Sequence, residues 1–327
     1  MRFNKKALLS TAVAMTLSAA AYADTSTFTF DPTGTAGATG DLSGAATLDW
    51  KVGNALSRGG DGLTNGETTQ VLYQANLGTV NDSGGTTIFA SGAGGNFFTI
   101  IASFTEVATI GGLSATFGTD TSNNTAVTST NFIQICKQSA NGDNLAGTGF
   151  GCTGSNIILQ GYVSGVSSAT FAVTSTTPVA LDQFGTNNYP TVFTVTGTGA
   201  TDINAVVTSV NLNYFPDLTS AAKLILSFFN TSNVDPYKQT DPAALFSTNG
   251  STANYGGAGT ANIGTLNGGA SGGSCPTGFT CGNDFMFQSD SNQSFLKVPE
   301  PATISLLGLG LVAAGAAGRM RRTKKLA

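Results

Sequence analysis

The chain has 327 residues and a formal charge of −4, with 10% charged residues, 43 glycines and no histidine. A typical cytosolic enzyme carries about a quarter charged residues. The missing histidine removes Ser-His-Asp and Cys-His nucleophiles, the usual zinc ligand sets and the commonest base near neutral pH; the 21 phenylalanines, clustered with Val, Ile and Leu, exclude a disordered chain.

The chain opens MRFNKKALLSTAVAMTLSAAAYAD. Arg2, Lys5 and Lys6 form a positive region, Ala7–Ala20 an apolar one, and Ala21-Tyr22-Ala23 an A-x-A cleavage site. Residues 1–23 are expected to be a signal peptide, helical in the precursor, carried by the Sec export machinery and cut by signal peptidase after Ala23. The mature chain then begins at Asp24.

From 24 to 297 the apolar residues recur in short runs. These are TFTF (27–30), VLYQANL (71–77), FFTIIASF (97–104), FIQICKQ (132–138), NIILQGYV (156–163), VFTVTG (192–197) and KLILSFF (223–229). Gly, Asn, Asp and Pro punctuate them, which is the pattern of strands and turns. In VVTSVNLNY, period-2 alternation puts Val206, Thr208, Val210, Leu212 and Tyr214 on one face and Val207, Ser209, Asn211 and Asn213 on the other. The reading is an all-β body, an antiparallel β-sandwich or jelly roll. FFTIIASF and KLILSFF are apolar on both faces and are expected in central, covered strands. Residues 249–274 are low in complexity and glycine-rich, as expected of a flexible surface loop. Trp50, the sole tryptophan, fits an inward or an outward position in TLDWKV.

Between Asp24 and Val298 there are 17 acidic and 6 basic residues, a net −11. Phosphate contacts need clustered Lys and Arg, so nucleic acid is not an expected partner. Four cysteines in an exported chain predict two disulfides and no free thiol. Three connectivities are open. The local one, Cys136–Cys152 with Cys275–Cys281, closes short loops and would contribute roughly 3 and 2 kcal/mol. A metal site at Cys275-x5-Cys281 lacks further ligands.

The chemistry left to an enzyme is a carboxylate pair, since a glycosidase needs two carboxyls at a set separation. The body holds two glutamates, Glu67 and Glu106, among scattered aspartates. Spacing singles out no pair, and no catalytic residue is assigned. Calcium takes oxygen ligands, and two loops could supply them: GGDGLTNGE with Asp61, Asn65 and Glu67, and GNDFMFQSDSNQ with Asp284, Asp290 and Asn292. Neither matches an EF-hand, and ordinary turn chemistry is the plainer reading of both. No other cofactor is implied.

The C-terminus carries a second membrane signal. Ala302–Gly318 is uncharged over 17 residues, about 26 Å as a helix and just enough to span a bilayer. Arg319, Arg321, Arg322, Lys324 and Lys325 follow and hold the end on the cytoplasmic side. Ahead of the apolar run, Pro299 and Pro301 fix their own φ and bias Val298 and Glu300 toward extended backbone. Pro299-Glu300-Pro301 is thus an exposed strip at the membrane surface that a membrane-embedded peptidase could read, and Pro301 can serve as the first helical residue.

This order of features over 298–327 resembles the PEP-CTERM proteins of Gram-negative bacteria. The resemblance implies processing by an exosortase, transient anchoring in the inner membrane, delivery to the cell exterior, and a host that makes exopolysaccharide. FTFDPTGT (28–35), LYQANLG (72–78), LAGTGF (145–150), YFPDL (214–218) and FQSDSNQSF (287–295) in turn resemble the flocculation-associated members of that group. That likeness implies a non-enzymatic role in the extracellular matrix, with exopolysaccharide or a cell-surface component as partner. The alternative is a secreted polysaccharide-active enzyme, a carboxylate-based glycoside hydrolase.

Overall fold

A computed structural model of the chain describes residues 27–35, 40–58, 65–111, 114–142, 149–152, 154–180, 193–218, 222–230, 234–235, 265–266, 269–270 and 285–296. The signal helix, the membrane helix and nearly all of the glycine-rich stretch at 249–274 lie outside these residues, and among those described no helix is long and apolar enough to cross a membrane.

The described residues form strands β1 (Phe28–Phe30), β2 (Leu42–Arg58), β3 (Glu67–Asp82), β4 (Thr87–Ala90), β5 (Phe97–Gly111), β6 (Ser114–Thr119), β7 (Phe132–Gln138), β8 (Ile157–Ala180), β9 (Phe193–Val210), β10 (Lys223–Asn230), β11 (Val234–Asp235), β12 (Thr265–Leu266), β13 (Gly269–Ala270) and β14 (Phe285–Leu296). Each apolar run read from the sequence falls in one of them. All the pairings are antiparallel, as expected of an all-β chain whose neighbouring strands are joined by short turns.

The arrangement departs from the two separate sheets of a sandwich. The order β2-β14-β10-β9-β8-β6-β5-β3 closes on itself because β3 also pairs with β2. The long strands β5 and β8 leave room for two short strands end to end: β7 bridges their 97–103 and 157–161 portions, and β6 their 106–111 and 170–172 portions. β10 and β11 share the place between β9 and β14 in the same way. Closure removes the open edges that a sandwich would have to protect. A ring of about eight positions encloses an interior that side chains can just fill.

Alternation then decides what faces in. Val71, Tyr73 and Ala75 of β3 point into the core with Ile100, Ala102 and Phe104 of β5. Trp50 also points inward and is buried. β3 and β5 are buried on both faces, as the doubly apolar FFTIIASF run predicts. Their outer face lies beneath neighbouring loop segments, reached by Ser103 Oγ donating to Thr130 O and Thr105 Oγ1 to Asp120.

At the C-terminal end of β9 the buried face is the one that carries Val207. Ile203, Ala205 and Val207 are the buried residues, while Thr208 and Leu212 are exposed. The strand stops at Val210, and a turn over 212–214 carries Tyr214 and Phe215 under the ring. Alternation read through 214 therefore followed a strand that had already ended.

Candidate functional site

The interior changes character along the ring axis. At one end β1 and the 214–218 turn close it with aromatic rings. Phe28 stacks edge-on with Phe295 at 4.9 Å, and Phe215 lies 5.4 Å from Phe30 and 5.9 Å from Phe295. Backbone bonds fix the stopper: Asp31 N donates to Tyr214 O, and Thr29 N to Asp217 Oδ1. Asp31, buried beneath, accepts from Thr33 N, Thr33 Oγ1 and Thr35 N. Three of the stretches FTFDPTGT, YFPDL and FQSDSNQSF thus meet in one plug.

Midway, Tyr73 and Ser291 join β3 to β14 through a 2.6 Å Oη–Oγ hydrogen bond. Burial pushes the Tyr73 phenol well above its ordinary range. Beside it, Trp50 Nε1 and the amide of Gln293 are enclosed without a protein partner among the described residues.

At the other end the interior becomes acidic. Glu67 is registered with Ala108, and Thr69 with Glu106. Directly opposed residues of an antiparallel pair share a face, so Glu67 and Glu106 are diagonal neighbours on the inward face, with Cα atoms roughly 7–8 Å apart. Glu106 in turn opposes Thr119 of β6. It is 6% exposed, and burial alone pushes its carboxyl up to about 8. Thr69 is 4% exposed and its Oγ1 has no hydrogen-bond partner among the described residues. Thr119 Oγ1 is engaged, donating to Val166 O and accepting from Val166 N. Sequence spacing singled out no carboxylate pair; the β3–β5 register creates one.

The calcium candidates fall in two separate loops. Asp61 and Asp284 lie outside the described residues. Glu67 faces inward at the start of β3, whereas Asp290 is exposed on β14 beside the Trp50–Leu77 level, about 30 Å along the strand direction. Asn65 is committed elsewhere, its Oδ1 accepting from Ile110 N. Partial desolvation, then the charge of Asp49 on β2, raises the Asp290 carboxyl. Among the described residues no group of three or more acidic or cysteine side chains could hold a metal ion.

Cys136 and Cys152 are bridged, with Cα atoms 5.6 Å apart, as the local pairing expects. Cys275 and Cys281 lie outside the described residues. The bridged loop is also fastened to β3: Asn76 Nδ2 donates to Gly142 O, and Gly142 N to Asn76 Oδ1. Gln138 Nε2 donates to Gly151 O. A side chain at Gly142 would run into the Phe150 ring at 2.6 Å, so glycine is required there. This links LYQANLG to the end of LAGTGF.

The features that direct the chain lie beyond this ring. Ala21 and Ala23 of the cleavage site, Pro299, Glu300 and Pro301, and Arg319, Arg321 and Arg322 all lie outside the described residues. Their chemistry stands on the sequence: a Pro-Glu-Pro triplet, an uncharged apolar stretch and a basic end. These define an exported chain with a C-terminal sorting signal. The family model for the PEP-CTERM protein-sorting motif matches residues 297–322, so the chain carries that sorting motif at its C-terminal end. That motif marks an exported protein, sorted by an exosortase in the membrane and transiently anchored there before it reaches the cell surface. No curated protein and no solved structure matches the chain.

Proposed function

We propose that the chain is an exported, non-enzymatic protein of the cell surface or extracellular matrix, associated with exopolysaccharide, that promotes cell aggregation into flocs or biofilm. The observation that carries this reading is the sorting motif at 297–322 behind an acidic, sparsely charged body. Exposed strand positions such as Thr87, Thr109, Ser114, Thr116 and Thr208 offer neutral hydrogen-bonding groups. Each such contact with a hydrated polymer is weak, and many on one chain sum through multivalency. The net −11 of the body disfavours acidic polymers unless cations bridge them. The test is a pull-down of the secreted protein on the host's own polysaccharide. Retention that rises with polymer concentration supports the reading, and free passage at all concentrations contradicts it.

A second reading, a glycoside hydrolase, draws on the Glu67–Glu106 diagonal, because a carboxyl held neutral beside a second carboxyl can act as a general acid. Against it, Glu106 lies within the packed interior rather than in a cleft. Reducing-sugar release from the same polymer, abolished by Glu106→Gln, would establish the hydrolase and displace the matrix reading.

A further inference from the structure

β7 brings an amine to the aromatic end of the ring. Lys137 opposes Phe98 of β5, a buried ring that lies 5.2 Å from Phe30 of the plug, so the lysine shares the inward face. Asn96 precedes Phe98 by two residues and meets the lysine directly: Lys137 Nζ donates to Asn96 Oδ1. The amine also donates to Pro32 O at 3.0 Å and stands 4.9 Å from the centre of the Phe98 ring. Both of these hydrogen-bond acceptors are uncharged. Partial burial lowers the Lys137 amine from its ordinary range, and the charge of Asp31 opposes that shift. The carboxamide is held in place from three sides. Asn96 Nδ2 and Asn96 N each donate to Ala93 O at 3.2 Å, and Asn96 O accepts from Gly92 N.

We propose that Lys137 and Asn96 react to form an intramolecular isopeptide bond, a covalent cross-link between β7 and the turn ahead of β5. The neutral amine attacks Asn96 Cγ. The Nζ–Cγ bond forms, the Cγ–Nδ2 bond breaks, and one amine hydrogen goes to Nδ2, which leaves as ammonia. No electron is gained or lost and no co-reactant is consumed. The ammonium form first sheds a proton to Asp31, the buried carboxylate whose charge reaches the amine, and the departing ammonia collects it. A desolvated lysine is the stronger nucleophile. Contact between amine and carboxamide within one fold replaces a bimolecular encounter, which removes much of the barrier. The leaving nitrogen lies against the exposed Ala93, so ammonia escapes to solvent. Adjacent residues of β7 then carry covalent links on opposite faces, Cys136 to Cys152 and Lys137 to Asn96. The cross-link is independent of the aggregation role.

Intact-mass measurement of the purified chain, reduced and denatured, tests the proposal directly. The chain is expected to be lighter by one ammonia than its termini and sequence require. Proteolysis should release one branched peptide that joins Lys137 to Asn96, and Lys137 should resist an amine-reactive label after denaturation. Lys137→Met and Asn96→Ala should each restore the full sequence mass. A native chain at full sequence mass, with Lys137 labelled once denatured, has a hydrogen bond only and overturns the proposal. Loss of ammonia without the branched peptide also overturns it, because an asparagine has then cyclised on its own backbone.

Discussion

Asn76 of β3 and Gly142 in the disulfide-closed loop exchange two hydrogen bonds, 2.8 Å from Asn76 Nδ2 to Gly142 O and 2.7 Å from Gly142 N to Asn76 Oδ1. One buried amide side chain thus satisfies both backbone groups of a loop residue. Replacing it leaves a buried N–H and C=O unpaired, at about 1–3 kcal/mol for each. Asn76→Ala is expected to lower the denaturation midpoint substantially. Gln138→Ala, which removes a bond to Gly151 O and a longer one to Thr99 Oγ1, leaves only one backbone group unpaired and should cost less. Equal losses for the two variants would show that the Asn76 contact is not the fastening described.

The Cys136–Cys152 bridge closes a loop with a sequence separation of 16. Removing both thiols with a Cys136→Ser, Cys152→Ser variant is expected to destabilise by about 3 kcal/mol in the chain-entropy model. Alkylation without reduction should label neither residue. A peptide map that joins Cys136 to Cys275 or Cys281 would contradict the pairing.

Phe215 touches Phe28, Phe30 and Phe295 at the closed end of the ring. Phe215→Ala removes the common neighbour of three buried rings, and a loss of about 3–5 kcal/mol is expected from equilibrium unfolding. Leu212→Ala, three residues earlier but exposed, should be close to neutral. Similar losses for the two would contradict the plug.

Much of this architecture was legible in the sequence, because its local signals are local in origin. Apolar runs between Gly, Asn and Pro marked many of the strands, and the local one of three open cysteine pairings anticipated the Cys136–Cys152 bridge. Closure of the sheet was not legible, because it depends on β2 finding β3 as well as β14. The register between distant strands leaves no trace in composition. The Glu67–Glu106 diagonal was hidden for the same reason: only the pairing of Thr69 with Glu106 puts the two acids on one face. The end of β9 at Val210 was not legible either, because the period-2 pattern runs on to Tyr214 through a turn.

Glu106 also sets a pH dependence. Its carboxyl stands at about 8 in the fold against an ordinary 4.5, with burial as the cause. Between those values the folded chain keeps a proton that the unfolded chain has lost. The contribution is therefore full below the lower value and is lost as pH rises through the window. The melting temperature is expected to fall from about pH 5 to about pH 8, and Glu106→Gln should flatten that fall. Parallel curves for the two proteins would contradict the assignment.

The central claim is that export and Pro-Glu-Pro sorting deliver a protein that holds cells together. Its most direct test is the settling of cultures of a deletion strain, complemented with the native chain or with one carrying Pro299→Ala, Glu300→Ala and Pro301→Ala. The deletion strain should stay dispersed while still secreting polysaccharide, the native chain should restore aggregation, and the triple variant should remain in the membrane and fail to restore it. Normal aggregation of the deletion strain, or full rescue by the triple variant, would contradict the account.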